Sequence, residues 1–173
     1  RGRARGVQSQ GSGGADLVGR RLGRYQMQAL HGKGGMAEVF QALDTTLGRS
    51  VAVKVILPAY ASQPEFVERF LREARLVAGL EHAHILPVYD VGEDGGLPFL
   101  VMPLVSGGTL LTRMRRGRPE PATVADWTRQ LASALDTAHQ AGILHRDIKP
   151  HNVLMGKDDR MLLADFGIAK MAD

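Results

Sequence analysis

Between Tyr25 and Met102 the chain consists of short apolar-rich runs separated by glycine and polar turns, and beyond Gly107-Gly108 the apolar residues fall at helical spacing instead. From Tyr25 a strand, a glycine turn over Gly32 to Gly35, a second strand over Ala37 to Leu43 and a third over Ser50 to Ile56 predict an antiparallel meander. Connections this short join only antiparallel neighbours. Ser62, Pro64 and Glu65 read as a helix start, with a capping box and a proline near the first helical position. That helix is expected to run to about Leu80. Phe66, Phe70, Val77 and Leu80 fall on one side of it, and Glu73 projects near that side toward the sheet. Val88 to Glu93 and Leu97 to Met102, divided by an Asp-Gly-Gly turn, complete a five-stranded antiparallel sheet with one main helix.

A short helix is expected from Thr109, followed by a long one from Thr123, where Thr123 and Asp126 form a second capping-box candidate. Trp127, Leu131, Leu135 and Ala138 recur every three or four residues as a core face, and Gly142 stops the helix. Val153 to Met155 and Met161 to Leu163 flank a polar turn and read as a small hairpin. Strands first and helices second make this an α+β chain.

Composition narrows the setting. The absence of cysteine removes disulfides and thiolate metal sites and fits a reducing, cytoplasmic compartment. No apolar run approaches a membrane span. The net charge of +4 is uneven: six arginines against Asp16 give residues 1–24 a charge of +5, leaving −1 on the rest. The basic character belongs to a Gly/Ser/Arg-rich leader, read as flexible because it has almost no apolar surface to bury. A second cluster, Arg113, Arg115, Arg116 and Arg118, reads as a solvated helix end. Without interleaved aromatic residues, neither cluster points to nucleic acid.

The candidate chemistry lies at the turns. Gly32-Lys33-Gly34-Gly35 is a hairpin tip whose missing side chains let backbone N–H groups approach phosphate oxygens. Lys54 ends Val51-Ala-Val-Lys54, and Glu73 follows 19 residues later on the predicted helix. His145-Arg-Asp-Ile-Lys-Pro-His-Asn152 places Asp147, Lys149 and Asn152 at fixed offsets, and Asp165-Phe-Gly167 follows the small hairpin.

In this order the motifs resemble the nucleotide and catalytic signatures of serine/threonine protein kinases of the bacterial, eukaryotic-like (Hanks) kind. The resemblance covers about residues 20 to 173. One departure is Ala37, where the family pattern has a third glycine; the chain also ends six residues past Gly167, before an activation segment is complete. What the resemblance implies is a protein-kinase-like fold: a basic leader over 1–19, an N-terminal lobe over 20–102, a hinge over 103–105, and a partial, mostly helical C-terminal lobe over 106–173.

It further implies transfer of the γ-phosphoryl group of Mg-ATP to a protein Ser or Thr hydroxyl. Catalytic roles then fall to Asp147, Lys149, Lys54 and its ion-pair partner Glu73. ATP contacts fall to Gly32, Lys33, Gly34, Gly35, Val39, Ala52, Lys54, Met102, Pro103, Val105 and Leu154, and Mg2+ to Asn152 and Asp165. Pro103 offers a carbonyl and Val105 an N–H to adenine, and Arg146 implies control through an anionic group on the activation segment. The expected partners are a protein substrate and a second copy in autophosphorylation, with no nucleic acid. Two further readings stay open: a catalytically inactive ATP-binding remnant or regulatory module, and nucleic-acid binding through the arginine leader.

Overall fold

The computed structural model describes residues 15–167. Its main sheet is antiparallel throughout, in the order β1-β2-β3-β4-β6-β5. The strands are β1 (Arg21–Leu22), β2 (Tyr25–Lys33), β3 (Ala37–Asp44), β4 (Arg49–Ile56), β5 (Asp90–Asp94) and β6 (Leu97–Pro103). Two register shifts in β2, between Met27 and Ala29 and between Leu30 and Gly32, each leave an extra residue on that strand.

Strand β4 shows how the sheet carries two cores. Successive side chains point to opposite faces, so Val51, Val53 and Val55 join one buried cluster with Tyr25, Met27, Phe40, Phe99 and Val101. Ala52 and Ile56 enter the other, with Phe66, Phe70, Ala74 and Val77 of the main helix. Lys54 lies between Ala52 and Ile56 in this alternation, which puts its charge on the helix side of the sheet. The sheet edges meet: the Gly23 N–H donates to the Asp94 carboxylate and the Tyr25 hydroxyl to that of Asp90, at 2.5 and 2.6 Å.

Two helices lie between β4 and β5: α1 (Pro58–Ala61) and the main helix α2 (Pro64–Ala78). After β6 come α3 (Leu110–Arg115), α4 (Pro121–Gln140) and the hairpin β7 (Val153–Met155) with β8 (Met161–Leu163). The two halves are joined through β8, since Leu86 N–H donates to Leu163 O at 2.9 Å and Leu163 N–H to His84 O at 2.8 Å. Gly107 follows β6 and passes very close to β7. A Cβ there would stand 1.9 Å from the Met155 carbonyl oxygen, so only glycine fits.

The expected hairpin and the Thr109 start are as read; the Thr109 hydroxyl accepts from Thr112 N–H. Four readings are corrected. The sheet has six strands instead of five, because β1 pairs over only two residues, too few to show a pattern. Ser62 does not cap α2. Pro58 opens an additional turn, so Ser62 ends α1 and its hydroxyl donates to Ala59 O at 3.2 Å. Thr123 does not cap α4 either and sits inside its first turn. In both long helices proline occupies the first helical position and holds the preceding residue, Gln63 or Glu120, extended, with no side-chain cap bond. Finally, the leader expected over 1–19 extends too far: Ala15–Leu17 form a 3-10 turn and Leu17 is buried in the sheet's outer cluster. Residues 1–14 and 168–173 lie outside the described residues.

Candidate active site

The two halves enclose a cleft of about 770 Å³. Its roof is the β2–β3 hairpin, where Gly32, Lys33, Gly34 and Gly35 all line it. The Gly34 N–H closes the turn on Ala37 O at 2.9 Å, and a Cβ on Gly34 would come within 3.2 Å of that same oxygen. Ala37, standing where a third glycine was expected, is 5 % exposed, so its methyl group packs inward. Val39, Ala52, Met102 and Leu154 supply apolar walls, and Pro103, Leu104 and Val105 line the connection between the halves. Pro103 is still the last residue of β6, opposite Val51.

The polar end is built by the loops around β7 and β8. Asp147 is held from several sides: Asn152 Nδ2 donates to its backbone oxygen at 2.8 Å and to Oδ2 at 3.0 Å, and Lys149 Nζ lies 3.0 Å from Oδ2. With its amide spent on Asp147, Asn152 keeps its carbonyl oxygen for another partner. His145 organises this region from beneath. It is 1 % exposed, accepts at Nδ1 from the Asp147 N–H at 3.2 Å, and donates from Nε2 to Ala164 O at 2.8 Å. The tautomer follows from its partners, since an amide must donate and a carbonyl must accept. Burial lowers its pKa and outweighs the opposing pull of the Ala164 carbonyl, Asp147 and Asp165. One neutral ring thus joins the loop carrying Asp147 to the residue before Asp165.

Arg146 and Asp165 both take left-handed backbone conformations, with φ of 63° and 54°, uncommon for residues with a Cβ. The Gly167 N–H donates to His145 O at 2.6 Å. Phe166 stacks on the His145 ring at 4.6 Å between centroids, and with Phe70 and Val77 of α2 it lines a second cavity of about 30 Å³ behind Lys54. Phe166 thus shares this cavity with α2, the helix that carries Glu73.

One expected contact is replaced. Lys54 Nζ pairs with Asp165 Oδ1 at 2.7 Å, and Glu73 Oε1 lies 3.8 Å from Arg146 Nη1. The four charges are thus matched as Lys54 with Asp165 and Arg146 with Glu73, not as Lys54 with Glu73. Opposite charges a few ångströms apart in a partly desolvated cleft are paired by whichever reach is shorter. Of the residues singled out from sequence, Lys54, Asp147, Lys149, Asn152 and Asp165 line one cleft with the glycine hairpin and the apolar walls; Glu73 does not line it. His31, Met36, Leu104, Thr109, His151 and Ala164 also line it. They were not read as site residues, and their only signal was adjacency to the motifs. The structural part of His145 had no sequence signal beyond its place in the loop.

The profile of the protein kinase domain matches residues 25–173. A probable serine/threonine-protein kinase of Clostridium acetobutylicum, CA_C1728, is 44% identical over 151 residues, covering 87% of this chain and 23% of that protein. The serine/threonine-protein kinase PknA of Mycobacterium tuberculosis is 45% identical over 157 residues, covering 87% of this chain and 36% of PknA. The crystal structure of the M. tuberculosis PknI kinase domain superposes with a TM-score of 0.77 at 38% identity, covering 88% of this chain and 63% of that one. The crystal structure of Rad53 1-466 in complex with AMP-PNP gives a TM-score of 0.74 at 30% identity, over 84% of this chain and 38% of that one. The chain thus spans about a quarter to a third of the curated relatives' length. With the glycine hairpin, the buried-histidine loop and the Asp165 turn around one cleft, and with relatives and solved structures agreeing, this chain belongs to the protein kinase domain family, among its bacterial serine/threonine members.

Proposed function

We propose that this chain forms the nucleotide-binding and catalytic cleft of an ATP-dependent serine/threonine kinase that phosphorylates protein hydroxyls, including those of a second copy of itself. The observation that carries this reading is the grouping of Lys54, Asp147, Lys149, Asn152 and Asp165 at one end of a cleft whose other end is apolar. A purine fits the walls of Val39, Ala52, Met102 and Leu154, with the Pro103 carbonyl and Val105 N–H at its edge. The triphosphate fits under Gly32 to Gly35, where the Gly34 position has little room for a side chain and Gly35 opens onto space.

Magnesium is the metal this donor set suits. The Asp165 carboxylate and the side-chain carbonyl of Asn152 are hard oxygen ligands, few enough to leave positions for phosphate and water. When bound, the ion neutralises charge on the phosphate oxygens. The protein's own residues do the rest. Lys54 exchanges its contact with Asp165 for the nucleotide phosphates, and Asp147, fixed by Asn152, orients the acceptor hydroxyl and takes its proton. The hydroxyl oxygen forms a bond to the γ-phosphorus as the bond to the β,γ-bridging oxygen breaks, and ADP departs. Lys149 stands beside Asp147 and offsets negative charge on the group in flight.

Lys54→Met and Asp165→Asn in the full-length protein each abolish transfer of label from ATP to a Ser/Thr acceptor; full activity in either variant overturns the assignment. A second reading, a module that binds nucleotide without transferring phosphate, is favoured by the pairing of Glu73 with Arg146. Saturable Mg-ATP binding with no transfer to generic acceptors supports that alternative.

A further inference from the structure

Resting on the kinase reading, we propose that α3 and the residues following it form a basic rim that selects acceptor segments with acidic residues a few positions from the phosphorylated hydroxyl. Thr109, the cap of α3, lines the cleft together with Lys149 and His151 of the loop that presents Asp147. On a helix, positions three and seven residues on share a face. Thr112 and Arg116 therefore continue the Thr109 face away from the cleft, and Thr109 and Thr112 share a hydroxyl contact at 3.0 Å. Arg116 stands about 10 Å along the axis from Thr109 at 1.5 Å per residue. An extended peptide covers that distance in roughly three residues.

The arginines of this rim differ in their partners. Arg113 is turned inward, 4.0 Å from Asp159 and over the Trp127 ring at 5.6 Å. Arg115, Arg116 and Arg118 are exposed, and among the described residues no carboxylate pairs with them. Residues 109–118 contain four arginines and no acidic residue. Arg113 and Arg115 sit in the last turn of α3, where the helix dipole favours cations, but Arg113 and Arg116 stand at i,i+3, where like charges repel. Arg118 also lies beyond α3, outside the turn in which the helix dipole favours a cation. Helix stability therefore gives no reason for the full cluster, whereas a negatively charged partner does. Lys149 lines the adjoining cleft, where it is paired with Asp147, so the unpaired positive charge lies on the rim itself, where a basic acceptor segment meets repulsion and an acidic one attraction.

The test uses the full-length protein and three peptides that share one acceptor threonine and differ in flanks of glutamate, serine or lysine. The expected order of kcat/KM is acidic, neutral, basic. R115E/R116E, which touches no residue of the catalytic cleft, lowers the acidic peptide's kcat/KM on the order of tenfold, as reversal of a few exposed charges does, and leaves the neutral peptide unchanged. R115Q/R116Q gives a smaller loss in the same direction and serves if the reversed variant does not fold. Equal rates for acidic and neutral peptides, or an equal loss for both in the variants, overturn the proposal. Binding of the fluorescent acidic peptide, followed by anisotropy, decides it independently of transfer. Salt-sensitive binding that the substitutions weaken supports the rim even if no peptide is phosphorylated, a result that sinks the kinase reading alone. Binding indifferent to R115E/R116E overturns the rim.

Discussion

Replacing His145 by leucine tests whether one buried ring holds the two carboxylate-bearing loops together. Leucine fills much of the volume but leaves the Asp147 N–H without its acceptor and the Ala164 carbonyl without its donor. Stranding a buried polar group costs about 1–3 kcal/mol, so the expected loss at neutral pH is about 2–5 kcal/mol, partly offset by leucine's apolar surface. The pH dependence separates this account from simple packing. Because the folded-state pKa of His145 is lowered by burial, the unfolded chain takes up a proton more readily. Stability is then full above the unfolded histidine value of about 6.5 and falls as pH drops toward the folded value, by up to ~1.4 kcal/mol per pH unit. The leucine variant lacks that contribution, while the other histidines act alike in both proteins. Urea midpoints measured between pH 8 and 5 are expected to show the gap between wild type and variant narrowing as pH falls. A gap that stays constant or widens refutes a neutral, doubly bonded His145.

Two stability predictions accompany this one and the active-site and rim variants. Gly107→Ala places a Cβ 1.9 Å from the Met155 carbonyl oxygen, so backbone must move; we expect a loss of several kcal/mol in urea unfolding, against the ~1 kcal/mol gain of an unhindered Gly→Ala change. Gln63→Asp supplies α2 with the missing N-cap acceptor and raises stability by about 0.5–1 kcal/mol, whereas Ser62→Ala, at the end of α1, leaves α2 unaffected; thermal melts of both variants check the assignment of the helix start.

The order of the strands from Tyr25 onward and of the longer helices, the hairpins, the Thr109 start and the loops on which the polar residues sit are legible in the sequence, while β1 and α1 are too short to show a pattern. The legible features follow from local rules: apolar spacing, turn glycines and short connections that permit few topologies. The capping boxes at Ser62 and Thr123 are not formed, although Pro64 does stand at the first helical position of α2 as read; where proline and a plausible capping box compete within a few residues, proline's fixed φ prevails, at Pro64 and Pro121. The expected leader runs past Leu17, since one isolated leucine gives no pattern until a sheet exists to receive it.

Which charges meet follows from how distant segments pack. Lys54 and Asp165 are 111 residues apart in sequence and 2.7 Å apart in space. Whether Lys54 faces Asp165 or Glu73 depends on how two loops and a helix close around one cleft. The same holds for His145, whose two ring nitrogens bond to residues 2 and 19 positions away, and for Gly107, whose necessity arises from a strand that the chain reaches almost fifty residues later. Spacing along a chain can put a group on the correct element and face; its partner is chosen only when distant elements pack.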